Sequence, residues 1–147
     1  PGYCWYNNDR VTYKANWGGL YNWYVVNTGN LCPAGWHVPT DADWTALTVY
    51  LGGELLAGGK LKETGTTRWA SPNTGATNET GFTALPGGYR DISGAFYHIG
   101  NDGFWWSATE RNASGAWYRF MSSIYSSVLK TEYLKEGGYS VRCLKDL

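Results

Sequence analysis

Helix formers are scarce in this chain, while bulky aromatic side chains and glycines recur along its whole length, with 20 Gly, 9 Trp and 12 Tyr. Aromatic residues fit a pleated, half-buried surface, and glycines end regular elements, so the pattern favours short strands, many turns and dense ring packing over a helical bundle. A chain of 147 residues buries roughly two-thirds of its unfolded surface in one core. No linker-like stretch divides it, so one domain over 1–147 is expected.

Charge removes some partners. The formal net charge is +0 and the basic residues are scattered, so the basic footprint of a nucleic-acid or anionic-membrane binder is missing. No apolar run approaches the roughly 20 residues of a membrane span, and no charged-then-apolar leader opens the chain at Pro1. A removed leader, or a domain within a longer protein, is therefore expected. Cys4, Cys32 and Cys143 stand too far apart for a metal knuckle or a redox pair, and allow one disulfide with one thiol left over. Cys32 with Cys143 is the expected pair. It would close a loop of more than ~100 residues, contribute about 4 kcal/mol, and require an oxidising compartment. The alternative is three reduced, buried cysteines.

Along the chain, segment 3–24 reads as short aromatic strands broken by the turn formers Asn7, Asn8, Asp9, Gly18 and Gly19. Pro39 and Thr40 then open the clearest helix. Thr40 is its N-cap, Asp43 the capping-box partner, Trp44, Leu47 and Leu51 share one face, and Gly52 and Gly53 stop it. Asp41 and Asp43 complement the helix dipole, which outweighs a catalytic carboxylate pair. A second helix over 54–62 is interrupted by Gly58 and Gly59. Segment 63–78 reads as a surface loop anchored by Trp69, and 81–90 as a strand entering a glycine turn. Hairpins follow, and Tyr139, Val141 and Cys143 alternate with Ser140 and Arg142 in a closing strand.

The last third is rich in Tyr, Ser, Gly and Asn among tryptophans, the mixture of rigid contact area and adaptable hydrogen bonding that recognition surfaces use. Trp117, Arg119 and Met121 alternate with Tyr118, Phe120 and Ser122. Period two places one set inward and the other on an exposed face, the candidate binding face.

Six ordered blocks carry a resemblance: Gly19-Leu20-Tyr21-Asn22-Trp23-Tyr24, Leu31-Cys32-Pro33-Ala34-Gly35-Trp36-His37-Val38-Pro39, Gly59-Lys60-Leu61-Lys62, the run 78–90 ending Pro86-Gly87-Gly88-Tyr89-Arg90, Trp105-Trp106-Ser107-Ala108-Thr109-Glu110, and Ser140-Val141-Arg142-Cys143. Over nearly its whole length the chain resembles the Fibrobacter succinogenes major paralogous domain, common in surface proteins of gut Bacteroidetes. The resemblance implies an α+β, C-type-lectin-like fold related to the formylglycine-generating enzyme, with a small twisted antiparallel sheet, one or two helices and long loops. It implies an extracellular or cell-surface setting, as in a lipoprotein or adhesin. Some members are similar to variable proteins of diversity-generating retroelements, whose C-terminal segment is rewritten at template adenines. Asp91, Ile92, Ser93, Phe96, Tyr97, His98, Asn101, Asp102, Phe104, Tyr118, Phe120, Ser122, Ser123, Ile124, Tyr125, Ser126, Ser127, Leu129, Thr131, Tyr133, Leu134 and Tyr139 fall in the residue set such rewriting reaches. Trp105, Trp106, Trp117, Arg119, Met121, Val128 and Lys130 look like scaffold, and Glu132 and Glu136 do not fit.

The expected function is a non-catalytic, monomeric ligand-binding module for a protein or a glycan. Its expected contacts are Asp91, Ser93, Phe96, Tyr97, His98, Asn101, Asp102, Phe104, Asn112, Tyr118, Phe120, Ser122, Ile124, Tyr125, Ser126, Leu129, Thr131, Tyr133 and Leu134. A fixed adhesin or a structural repeat would use the same face for adhesion or packing. Catalysis, a metal and a cofactor are not expected. The three cysteines would have to converge for oxidase chemistry, and His37 reads as structural and His98 as a contact. Asn101-Asp102 reads as a turn in place of a calcium site. The sequons at Asn78 and Asn112 match by pattern only.

Overall fold

Among the described residues, short polar side chains that accept a backbone N–H start three of the four α-helices. The computed structural model describes residues 2–147. In it Asp9 caps α1 (Arg10–Trp17) by accepting from Thr12 N at 3.0 Å, and Asn22 caps the short α2 (Trp23–Val26) through Val25 N. Thr40 and Asp43 close the capping box of α3 (Asp41–Tyr50). Gly52 and Gly53, both at φ 96°, end that helix and lead into α4 (Glu54–Leu61).

The sheet elements are small: β1 (Tyr3–Cys4) pairs with β2 (Leu20–Tyr21), β3 (Trp36–His37) with β9 (Leu144–Lys145), and β4 (Tyr89–Arg90) with β5 (Phe96–Tyr97). The largest sheet has three antiparallel strands in the order β6 (Asp102–Glu110), β7 (Gly115–Ser122) and β8 (Val128–Leu134). The fold class is α+β. None of its described helices is long and apolar enough to cross a membrane.

Two apolar clusters flank this sheet. Trp44, Leu61, Trp69, Trp105, Met121 and Val128 pack on the side of α3 and α4. Trp23, Val26, Phe104, Trp106 and Tyr139 pack on the other. The interruption at Gly58 and Gly59 is a close approach: a Cβ at Gly58 would lie 2.1 Å from Ser127 O, and one at Gly59 2.3 Å from Gly75 O. The helix therefore runs on through both glycines, against the loops.

Those loops meet at one cation. Lys62 is fully buried, and its Nζ donates to Thr74 O at 2.9 Å, Ser122 O at 2.8 Å and Tyr125 O at 2.7 Å. Trp69 anchors loop 63–78 by burying its ring and donating from Nε1 to Ala84 O. On the same side of the sheet Arg119, 3% exposed, pairs with Asp41 at 2.8 Å, and Lys130 reaches the other oxygen of the same carboxylate at 2.7 Å. Asp41 is thus both a helix-start residue and the link between α3 and the sheet.

Cys32 and Cys143 are joined, with Cα atoms 5.8 Å apart, and Cys4 is a half-buried free thiol. Nearby, His37 lies between Asp146 at 2.6 Å and Asp43 at 3.4 Å, which raise its pKa, Asp146 the more. It ties β9 to the start of α3.

Three expectations change. Segment 3–24 holds α1 and the start of α2 as well as strands, because Asp9 caps a helix in place of a turn and Asn22 caps another, so the chain has more than the one or two helices expected. Only Tyr89 and Arg90 of 81–90 form a strand, Ala84 making a single parallel bridge to Lys62. The closing strand is reduced to isolated bridges from Tyr139 and Ser140, followed by β9.

Candidate ligand-binding face

Strand register decides which candidate side chains share a surface. Phe104 stands opposite Phe120 and Asp102 opposite Ser122 across β6 and β7, while Tyr118 faces Thr131 and Phe120 faces Leu129 across β7 and β8. Side chains alternate along a strand, so Asp102, Phe104, Tyr118, Phe120, Ser122, Leu129, Thr131 and Tyr133 lie on one face. Leu134 lies on the other, with Lys130 and Glu132.

The β4–β5 hairpin folds over this face through a ring cluster centred on Tyr89. Its ring lies 5.6 Å from Tyr97, 5.9 Å from His98, 4.9 Å from Phe104 and 6.2 Å from Tyr133. Beneath it Tyr139 packs 4.5 Å from Trp106 and 4.7 Å from Tyr118. Such offset and edge contacts each add about 0.5–1.5 kcal/mol beyond burial, so the face is held rigid by its own rings. Tyr89 is absent from the sequence-derived contacts. Its signal is the glycine pair before it: Gly88 has φ 62°, and a Cβ there would lie 2.3 Å from Tyr97 O.

Covering this face sorts its members. Asp102, Phe104 and Ser122 are buried, so they form a floor. Tyr139, also in the accessible set, is 1% exposed, and burial raises its hydroxyl pKa. Tyr118, Phe120, Thr131 and Tyr133 are half-buried, and Tyr97, His98 and Leu129 are exposed. His98, at φ 68°, donates from Nδ1 to the Asp102 carboxylate at 2.6 Å.

Asp91 and Ser93 extend the rim. Asp91 accepts the Tyr133 hydroxyl and the Ser93 N–H, and these bonds, Tyr133's first, hold its carboxyl down to about 2 from 3.8. A depressed carboxyl contributes stability above its ordinary value and loses it as pH falls through the folded one. The tie between β4–β5 and β8 is therefore expected to hold above pH 3.8 and to open near pH 2. In Tyr133→Phe the Asp91 carboxyl should titrate nearer 3.8, read by carbonyl carbon shifts. A midpoint left near 2 would remove Tyr133 as the cause.

Other candidates lie apart. Phe96 turns its ring to Tyr6, 5.2 Å away. Asn101 sits in the turn before β6, its N–H donating to His98 O. Asn112 accepts three bonds in the β6–β7 turn, from Ser114 N, Ser114 Oγ and Gly115 N, at the opposite end of β7 from Ser122. Ile124 and Tyr125 are exposed on the β7–β8 loop, next to Asn101 through the Ser123 N–H to Asn101 O bond, and Ser126 is turned to Leu55 O. Among the described residues no three His, Cys, Asp or Glu side chains gather as a metal site.

A family model described as Fibrobacter succinogenes major domain matches residues 1–145. No curated protein and no solved structure matches the chain.

Proposed function

We propose, since this chain belongs to the Fibrobacter succinogenes major domain family, that it is a non-catalytic ligand-binding module of a bacterial surface protein with a diversified C-terminal binding face, built on a C-type-lectin-like fold. Its ligand-binding surface is the β6–β7–β8 face with the β4–β5 hairpin, and its ligand is a protein. The observation that carries this reading is the rim of Tyr97, His98 and Leu129 standing on a buried floor of packed rings. Large side chains with few rotors, already ordered in the free state, lose little entropy on binding.

The sulfur chemistry supports a non-catalytic role. Cys32 and Cys143 are bonded to each other, and burial raises the Cys4 thiol, so no pair of thiols is free to act as nucleophile and resolver. The disulfide also supports an oxidising, extracellular setting.

Sequencing this locus across a cell population tests the reading. Substitutions are expected to cluster at Tyr97, His98, Ile124, Tyr125, Leu129 and Thr131, with Trp105, Trp106 and Trp117 constant. A segment as invariant as the tryptophans would overturn a diversified binder and leave a fixed adhesin.

A further inference from the structure

A groove of about 340 Å³ lies on a different part of the molecule, between the end of α1, segment 82–85 and segment 140–142. It shares no residue with the rim or floor of the ligand-binding face. Its volume falls within the range of small-molecule sites.

Three properties of the lining narrow the ligand. First, its only charged side chains are Lys14 and Arg142, and no carboxylate lines it. Among the described residues neither cation has a carboxylate within ion-pair distance. In a chain whose acidic and basic residues balance at 12 each, a groove holding cations alone is complementary to an anion.

Second, Arg142 is held in place. Its guanidinium stacks 4.7 Å from the centre of the Phe82 ring and donates to Phe82 O, and the neighbouring Cys143 is bonded to Cys32. A planar guanidinium has five donors, so most of the fork is free for a carboxylate and little entropy is lost in using it.

Third, the walls combine half-buried Trp17, Tyr21 and Phe82 rings with the polar side chains of Asn16 and Ser140. Rings that stack on an apolar face, beside amide and hydroxyl groups that bond hydroxyls, suit a sugar better than a peptide, which needs main-chain partners along an extended strand. We propose that this groove binds an acidic saccharide, with a uronic-acid carboxylate on Arg142 and Lys14 and the sugar ring against Trp17 and Tyr21.

The test is titration of the whole chain with digalacturonate, followed by the indole N–H resonances of Trp17 and Trp105. The neutral galactose disaccharide and a Glu-Glu dipeptide serve as comparisons. The expected result is a saturable shift at these two indoles with digalacturonate, at least tenfold weaker binding of both comparisons, and weaker binding at high salt. Arg142→Gln and Lys14→Gln should each weaken binding at least tenfold. Lys14 lies on an exposed helix, so its variant keeps the test valid if Arg142→Gln fails to fold. Tyr97→Ala, on the other face, should leave binding unchanged. No saturable shift, equal binding of the neutral sugar, or equal binding of Glu-Glu overturns the proposal. Each result is independent of whether the C-terminal face varies.

Discussion

Lys62→Met is expected to lower unfolding stability by about 3 kcal/mol, a drop of roughly 10 °C in Tm for a domain of this size. Methionine fills most of the same space, so the loss comes from the carbonyls of Thr74, Ser122 and Tyr125, which would stay dry without a donor. Each buried acceptor left unpaired costs about 1–3 kcal/mol before relaxation, and water entering beside Thr74 offsets part of the sum. Urea unfolding gives the number, with a lower midpoint at an unchanged slope. A change below about 1 kcal/mol would mean that the loops are held by their other contacts.

The same residue predicts a pH effect. Burial pushes the Lys62 ammonium down to about 8 from 10.5. Between those values the unfolded chain holds more proton than the folded one, so stability rises with pH across the window. The wild-type chain should show this rise and Lys62→Met should lack it.

The second large effect concerns the disulfide. Cys32→Ala with Cys143→Ala is expected to cost about 4 kcal/mol, since the bond spans 111 residues and long loops lose the most entropy when closed. The local consequence is at β9, which pairs with β3 beside the bond through Trp36 with Lys145 and His37 with Leu144. Hydrogen exchange at those amides should rise first. A thiol assay on the unfolded chain should find Cys4 alone. Three reactive thiols and a double variant as stable as wild type would refute the bond's contribution.

Local chemistry was legible and coverage was not. The Thr40 and Asp43 box, and the glycines that end α3, could be read because capping and stopping involve neighbours in sequence. Asp9 stands among the turn formers of its segment although its side chain starts α1, since one short acceptor serves either purpose until the following residues are packed. In the candidate face, alternation sorts Tyr118 and Phe120 from Trp117 and Arg119, because the period of a strand is local. It could not show that Tyr89 and Tyr139, from outside the sheet, would cover Phe104. Nor could it separate Lys60 from Lys62, two residues apart in one motif. Lys60 meets Glu79 near the surface, while Lys62 is buried under loops from elsewhere in the chain.

The Lys62 cluster carries a further consequence for how the loops can change. Every acceptor it uses is a main-chain oxygen, and every residue type supplies that oxygen. The grip on positions 74, 122 and 125 is therefore indifferent to the side chains there. The loop carrying Ile124 and Tyr125 can exchange its outward groups while its path stays fixed, which separates the variability of a surface from the stability of its support.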